Sequence, residues 1–238
     1  MEEKNNERKA KELEENGKIY KIEYLGEKLD KNYKTKKVII IGLSGVGKTT
    51  ISFRLIKDEF KVCSPTISLD VANYKMKVND EIIQFQLWDT CGNDEFASKT
   101  PNLFKNTFIA IIVYSIENKK SFEDVGTWLN ILRENSFSSF VYLIANKCDL
   151  EEEVRKIQKF EGEGLKNQYN FNYFLETSGK SGFNITHLLD KIAITIYETI
   201  KLEDAKEKQI NEGTVHLEKY DLSKNGEQEV KKKKQKCC

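Results

Sequence analysis

The apolar residues of this chain follow a regular spacing in its middle part and lose it toward both ends. Between about residues 36 and 201, short apolar runs of strand length alternate with segments of helical periodicity. The predicted strands are Lys37–Ile41, Val71–Val78, Ile82–Trp88, Phe108–Tyr114 and Val141–Ala145, and the predicted helices are Thr49–Lys57, Ser121–Glu134, Glu152–Asn167 and Phe183–Lys201. Asn79-Asp80 is a pair typical of tight turns and predicts a hairpin between the second and third of these strands.

This alternation predicts an α/β domain over residues 34–202, with a mostly parallel, six-stranded sheet and helices on both faces. Ligands of such sheets bind at the carboxyl ends of the strands. The residues that directly follow each predicted strand are therefore the first candidates for a functional site.

The two ends of the chain lack an apolar stripe. Residues 1–33 are charged; i,i+4 pairs such as Glu7 with Lys11 could support a frayed helix, but with nothing to bury we expect disorder. Residues 203–238 read as a solvated tail with lysines at 231–234 and 236.

Composition adds exclusions to this picture. The five cysteines form no CxxC pair and no cluster with histidine, so we expect neither a zinc site nor a disulfide framework, and we infer a reducing, intracellular compartment. The first thirty residues are too polar for a signal peptide, and no apolar run approaches a membrane span. The net charge is +1, and we expect no nucleic-acid partner.

The segment Gly42–Thr49 (GLSGVGKT) fits the phosphate-binding pattern GxxxxGK[ST] and stands between a predicted strand and a predicted helix. In a P-loop of this kind the backbone N–H groups wrap the phosphates, with the helix N-terminus adding a favourable partial charge. Lys48 can reach the β- and γ-phosphates, and Thr49 offers a hydroxyl to Mg²⁺. The nucleotide-binding residues predicted here are Ser44, Gly45, Val46, Gly47, Lys48, Thr49 and Thr50.

The base is indicated by a second motif. Asn146-Lys147-Cys148-Asp149 follows an apolar strand and matches the NKxD motif of Ras-like GTPases. The Asp149 carboxylate can accept hydrogen bonds from both N1–H and N2–H₂ of guanine, donors that adenine does not present together. The Lys147 stem can lie over the ring, and Asn146 can tie this loop to the P-loop. GTP and GDP are the predicted ligands.

A third group of residues suits a magnesium ion and the γ-phosphate. Asp89 ends a predicted strand and opens a DxxG motif, where it can hold a water on Mg²⁺, while the Gly92 N–H can bind the γ-phosphate. Thr66 can add a second hydroxyl ligand in the GTP state; a plain loop threonine is the alternative. Thr49, Thr66 and Asp89 together offer the hard oxygen ligands that Mg²⁺ prefers.

Over residues 36–201 the chain resembles the Rab family of small GTPases. Trp88-Asp89-Thr90-Cys91-Gly92 resembles WDTAG, Lys120-Ser121-Phe122 resembles KSF, and Glu176–Lys180 (ETSGK) resembles ETSAK. The resemblance implies the P-loop NTPase fold, hydrolysis of GTP to GDP and control of vesicle traffic. It also implies that Ser178, Gly179 and Lys180 bind the base, with the Gly179 N–H on guanine O6, and that Phe60 lies beside the base, a core position being the alternative. Exchange factors, activating proteins, effectors and prenylation or extraction chaperones are the implied partners.

The terminal Cys237-Cys238 resembles the doubly prenylated end of many Rab proteins. Two lipid chains suffice for stable attachment to a membrane, and the neighbouring lysines would add attraction to an anionic leaflet. We therefore expect a peripheral protein on the cytosolic face of an intracellular membrane. A solvated basic tail or a nuclear address is the alternative.

The main departure from the family falls on catalysis, which would rest on Lys48, Gly92 and residue 93. Asn93 stands where the family has the glutamine that orients the attacking water. Ser68 replaces a glycine after Thr66, and Val71 replaces a phenylalanine. Two readings stay open: a switch with slow intrinsic hydrolysis, and a GTP-bound scaffold with little or none. A small-molecule kinase is disfavoured by Asn146–Asp149.

Overall fold

The structure is a computed structural model that describes residues 10–62, 69–90, 101–136 and 139–234. For residues 101 and 210–234 it describes the backbone only. Its strands are β1 Lys11–Glu15, β2 Lys18–Gly26, β3 Thr35–Ile41, β4 Asp70–Val78, β5 Glu81–Asp89, β6 Thr107–Ser115, β7 Phe140–Asn146 and β8 Tyr173–Glu176. Its helices are α1 Lys48–Lys57, α2 Lys119–Glu123, α3 Val125–Asn135, α4 Lys159–Tyr169 and α5 Ile185–Lys234, with a 3₁₀ turn at Pro101–Leu103. No helix within these ranges combines the length and apolar content that a bilayer span requires.

The strands form one sheet in the order β1-β2-β4-β5-β3-β6-β7-β8. From β5 to β8 every neighbouring pair is parallel, and β1, β2 and β4 add an antiparallel wing. The predicted α/β fold with a mostly parallel sheet is confirmed. The sheet has eight strands rather than the predicted six.

The additional strands come from the N-terminal extension, which we predicted to be disordered. There the structure differs, because β1 and β2 form a hairpin and β2 pairs with β4. Tyr20 and Ile22 of β2 are buried. The sequence of this segment does contain one indication of a hairpin, the pair Asn16-Gly17. Both residues adopt positive φ (+53° and +74°), as a two-residue hairpin turn requires.

Helices lie on both faces of the sheet. On one face, Ile39, Ile41 and Ile112 share an apolar core with Trp128 and Leu129 of α3. On the other, α1 packs on β3 and β5, and the Tyr142 hydroxyl donates to the Lys191 carbonyl of α5. Because side chains of a strand alternate between faces, the near-continuous apolar runs of β3 and β6 are what a sheet covered on both sides requires.

Two of the predicted helices, Ser121–Glu134 and Glu152–Asn167, begin or divide differently in the structure. Residues 152–158 precede α4 instead of belonging to it, because the Lys156 and Ile157 N–H groups both donate to the Ile116 carbonyl. The helix then begins at Lys159 with a capping box between Gln158 and Glu161. The predicted helix Ser121–Glu134 is split at Asp124 into α2 and α3.

The chain divides after Ile194 into two units, each described by itself. The second unit consists of the continuation of α5, which is helical through Lys234. The tail predicted from residue 203 is therefore helical over most of its length in this structure. Cys237 and Cys238 lie outside the described residues.

Candidate functional site

The P-loop connects the carboxyl end of β3 to the first turn of α1, at the edge of the sheet that the sequence predicted. Gly42 has φ +139°, and a Cβ there would lie 2.2 Å from the Val113 carbonyl oxygen of β6. Gly47 has φ +95°, and a Cβ there would lie 2.3 Å from Asn146 Nδ2. Both positions therefore require glycine. Ser44 and Gly45 are exposed at the tip of the loop and Val46 is buried beneath it.

Lys48 lies across this loop. Its Nζ donates to the carbonyl oxygens of Gly42 (2.8 Å) and Leu43 (3.0 Å), and the residue is buried. A desolvated ammonium held by two neutral carbonyls gains from an anion placed in the loop, since hydrogen bonds between charged groups are the stronger ones. The geometry is that of a lysine positioned to bind phosphate.

Thr49 and Asp89 meet beside Lys48, as the sequence predicted for a magnesium site. Burial raises the pKa of the Asp89 carboxyl, while a hydrogen bond from Thr49 and the charge of Lys48 act in the opposite direction. Asp89 Oδ1 is buried and has no hydrogen-bond partner among the described residues. A buried carboxylate oxygen that lacks a hydrogen-bond donor and lies next to a hydroxyl is suited to bind a hard cation such as Mg²⁺. Thr90 fixes the strand end by donating from Oγ1 to the Ile40 carbonyl (2.7 Å).

Asn146 connects the loop predicted to bind the base to the P-loop. Its Nδ2 donates to the Val46 carbonyl (2.8 Å), which is the tie predicted from the motif. Its Oδ1 accepts from Thr177 Oγ1 (3.3 Å) and from the Gly179 N–H (3.1 Å). One buried amide therefore holds three segments together that follow β3, β7 and β8.

The Gly179 N–H is thus engaged with Asn146 in this structure, whereas the resemblance assigned it to guanine O6. That role stays a prediction, and it requires the N–H to be shared with Asn146 or released from it. Gly179 itself is tightly placed: a Cβ there would lie 2.8 Å from Thr50 Cγ2. The chain therefore differs from the ETSAK pattern at a position where its own Thr50 occupies the space.

The other residues predicted to contact the base converge around Asp149. Ser178 Oγ donates to Asp149 Oδ1 (2.5 Å), and Lys180 Nζ lies 3.9 Å from Oδ2. Lys147, at φ +67°, makes a 2.6 Å ion pair with Glu117. Both charged residues of the motif are thus oriented by neighbours.

Phe60 is 45% exposed. This argues against the core position that the sequence left open and leaves its ring available to a ligand. Three other predicted residues, Thr66, Gly92 and Asn93, lie outside the described residues. Their proposed contacts with Mg²⁺, the γ-phosphate and water stay predictions.

Two contributors were missed by sequence reasoning. Arg54 of α1 donates from NH2 to the Lys180 carbonyl (2.6 Å) and from Nε to the Gly179 carbonyl (3.3 Å), so it joins the first helix to the last loop of the site. Glu117, the partner of Lys147, follows β6. No local sequence pattern indicates either pairing, because Arg54 and Gly179 are 125 residues apart and Glu117 and Lys147 are 30 residues apart.

A comparison with protein families agrees with this geometry. Residues 37–198 match the model of the Ras family, and this range contains every nucleotide and magnesium residue predicted above. Members of the superfamily bind GTP or GDP with Mg²⁺ and are small GTPases. The match spans more than half of the chain, and the chain therefore belongs to the Ras family.

Proposed function

We propose that this protein is a Rab-like molecular switch that binds GTP and GDP, hydrolyses GTP slowly and regulates vesicle traffic from the cytosolic face of an intracellular membrane. The observation that carries the nucleotide part is the Asn146 side chain, which joins the phosphate loop to the loops that follow β7 and β8. A phosphate site and a base site held at one fixed separation fit one nucleotide.

The choice of guanine rests on Asp149. Its two oxygens face Ser178 and Lys180, so the carboxylate is held as an acceptor on the loop that also carries Lys147. A carboxylate pairs with the N1–H and N2–H₂ donors of guanine and would repel the N1 lone pair of adenine. Adenine nucleotides should therefore bind poorly.

During the reaction the residues of this chain would act mainly by position and charge. Lys48 would leave the Gly42 and Leu43 carbonyls for the phosphates, and Thr49 with Asp89 would hold the metal, which supplies charge neutralisation at the β- and γ-phosphate oxygens when bound. Asn93 would orient water less well than glutamine. The alternative function, a GTP-bound scaffold with little or no hydrolysis, is supported by this same residue.

The Rab-like part rests on sequence features. Trp88–Thr90, Lys120–Phe122 and the paired Cys237-Cys238 support it, together with the lysines at 231–234 and 236. Two prenyl groups on the cysteines would give the two anchoring signals that stable membrane attachment needs.

The nucleotide is tested by acid extraction of the purified full chain followed by chromatography. We expect one guanine nucleotide per chain; a bound adenine nucleotide would overturn the assignment. Single-turnover GTP hydrolysis, with and without an activating protein, then separates the slow switch from the scaffold.

The membrane part is tested by fractionating cells that express the tagged chain. We expect it on one organelle membrane, and Cys237→Ser with Cys238→Ser should release it to the cytosol. Gln235→Ser is the matched control, because it changes an adjacent uncharged residue and leaves both cysteines. Retention of the double variant on the membrane would refute the lipid anchor.

A further inference from the structure

A cavity among the described residues lies away from the nucleotide motifs. It has a volume of about 520 Å³ and is lined by the first residues of β3 (Thr35–Lys37), the turn into β6 (Lys105–Phe108) and the end of α3. These are the amino ends of β3 and β6, whereas the P-loop follows the carboxyl end of β3. The volume is within the range of small-molecule pockets.

The charge of this cavity has one sign. Lys36, Lys37 and Lys105 line it, and none of its lining residues is acidic. Within the described ranges, neither Lys37 nor Lys105 forms an ion pair with a carboxylate. The exposed lysines of α2 and α4 differ, since Lys119 and Lys159 each lie beside a glutamate four residues later.

Lys37 is held in place by three contacts of its ammonium group. Its Nζ donates to the carbonyl oxygens of Leu103 (2.6 Å) and Lys105 (3.3 Å) and lies 4.0 Å from the centre of the Trp88 ring. Burial lowers the pKa of its ammonium, which means that the charged form has lost part of its hydration. An anion in the cavity would offset that loss.

The remaining walls define the shape of the ligand. The Phe108 ring forms one wall, with Lys36 Nζ 4.7 Å from its centre. The hydroxyl of Thr107 is already used, donating to the Phe104 carbonyl (2.8 Å). Asn106, Asn135 and Ser136 complete the lining, so a ligand would meet positive charge, polar side chains and one apolar wall.

We infer that this cavity binds a small, multiply charged phosphate anion, with Lys36 and Lys105 contacting separate phosphate groups and Phe108 forming the apolar wall beside them. An inositol phosphate has this chemistry. It can come as a free molecule or as the head group of a phosphoinositide lipid, and the second source would add a membrane contact that does not depend on Cys237 and Cys238.

The test uses the full chain saturated with GDP and Mg²⁺, so that the P-loop cannot take up the probe. Inositol trisphosphate is titrated by calorimetry, and its position is followed by the NMR shifts of the Thr107 and Phe108 amides. We expect one site per chain, and Lys36→Gln with Lys105→Gln should weaken it about 10-fold or more, as the loss of charge-assisted contacts implies.

The matched control is Lys119→Gln with Lys159→Gln, which removes the same charge from exposed lysines outside the cavity. The proposal is overturned if the GDP-bound wild type does not bind the probe, or if the cavity variant loses no more affinity than the control variant. Lys105→Glu repeats the test at an exposed position where misfolding is not expected. Failure of this site would leave GTP binding untouched, so the two proposals fail separately.

Vesicles distinguish the sources. Wild type and the two double variants are sedimented with phosphatidylcholine vesicles, with and without phosphatidylinositol bisphosphate. A loss of lipid-dependent binding only in the cavity variant assigns the head group; equal sedimentation of all three, together with binding of the free trisphosphate, assigns the free anion. The lysines at 231–234 and 236 are common to all three chains and cancel in the comparison.

Discussion

The Tyr24 hydroxyl donates a hydrogen bond to Asp190 Oδ1 across 2.5 Å, joining the N-terminal hairpin to helix α5. Asp190 is buried at 1% exposure, and its second oxygen accepts from Lys11 Nζ of the same hairpin. Lys191 also pairs with Glu15 of β1. The hairpin, which lies outside the range of the family match, is therefore fastened both to the edge of the sheet and to a helix.

This relationship predicts that the hairpin contributes to the stability of the domain. Tyr24→Phe leaves a buried carboxylate oxygen without its donor, and we expect the free energy of unfolding to fall by about 1–3 kcal/mol. Chemical denaturation of the full chain measures it. Tyr114→Phe is the matched control, because the Tyr114 hydroxyl is buried with no hydrogen-bond partner among the described residues, so its removal should not destabilise. Equal losses in the two variants would contradict the role of Asp190.

The hairpin also shows where prediction from the sequence ended. Tyr20, Ile22 and Tyr24 alternate with charged residues and follow Asn16-Gly17, which is a local strand and turn signal. Their partners are not local: Asp190 is 166 residues from Tyr24. The charged composition of residues 1–33 predicted disorder, because nothing in that segment alone could bury its apolar side chains. The residues that the hairpin packs against lie far along the chain and could not be identified from the local sequence.

The nucleotide site was more predictable because its motifs encode local backbone geometry. Gly42 and Gly47 are required by positive φ and close approach, and each motif follows a strand that could be read from its apolar run. Arg54 and Glu117 escaped prediction because arginine and glutamate are ordinary surface residues until the fold brings them to Lys180 and Lys147.

Because Gly179 lies close to Thr50, we expect the methyl group added by Gly179→Ala to weaken GDP binding. Gly179→Ala would place Cβ 2.8 Å from Thr50 Cγ2 and 3.3 Å from the Ile51 nitrogen, and β-branched Thr50 has little freedom to move. Overpacking costs about 1–3 kcal/mol, so GDP should dissociate roughly 5- to 150-fold faster.

Release of a fluorescent GDP analogue measures this effect. Adding Thr50→Ser removes Cγ2 and should restore much of the affinity, which a double-mutant cycle quantifies. Gly164→Ala is the control, because a Cβ there meets no atom within 4 Å. If the cycle shows no coupling between positions 179 and 50, the steric explanation is wrong.

The orientation of Asp149 predicts a change of base specificity. In Asp149→Asn an acceptor oxygen is replaced by an NH₂ group that faces the guanine donors, while xanthine carries an oxygen at that position. We expect GTP affinity to fall and xanthosine triphosphate affinity to rise in the same variant. Competition between the two nucleotides on the purified chain measures the shift. Unchanged GTP affinity would refute the assignment of Asp149 to the base.

Cys148 lies inside the motif predicted to bind the base, yet its thiol should be unreactive at neutral pH. Burial, followed by the charges of Glu176 and Asp149, raises its pKa from 9.0 to about 11. The thiolate is the reactive form of cysteine. At a pH below both pKa values, a pKa raised by two units lowers the thiolate fraction by about 100-fold.

We therefore expect slow alkylation of Cys148 at pH 7–8, increasing as the pH approaches 11. Mass spectrometry of the peptide that contains Cys148 follows it without interference from the other cysteines. The same peptide in the chain unfolded by guanidinium is the control and should react faster. Equal rates in the folded and unfolded chain at pH 8 would contradict the raised pKa.

Asn93 leads to the prediction with the greatest consequence for function. The residue carries the amide of the family's glutamine on a side chain shorter by one methylene, so the amide is withdrawn by about 1.5 Å, one carbon–carbon bond. Phosphoryl transfer depends mostly on position and electrostatics, and a displacement near 1 Å can cost on the order of 100-fold in rate. We expect slow intrinsic hydrolysis in the wild type and faster hydrolysis in Asn93→Gln.

Single-turnover hydrolysis of bound GTP decides this, with Asn93→Ala as the control that removes the amide altogether. The residues proposed to hold phosphate and metal, Lys48, Thr49 and Asp89, are unchanged in all three chains, so GTP affinity should stay equal and any difference should appear in the chemical step. A rate order of Gln above Asn, with Ala at or below Asn, supports a switch whose GTP state is prolonged by side-chain length. If Asn93→Gln is no faster than the wild type, Asn93 does not limit the reaction. In that case the GTP-bound scaffold is supported only if the wild-type rate of hydrolysis is itself negligible.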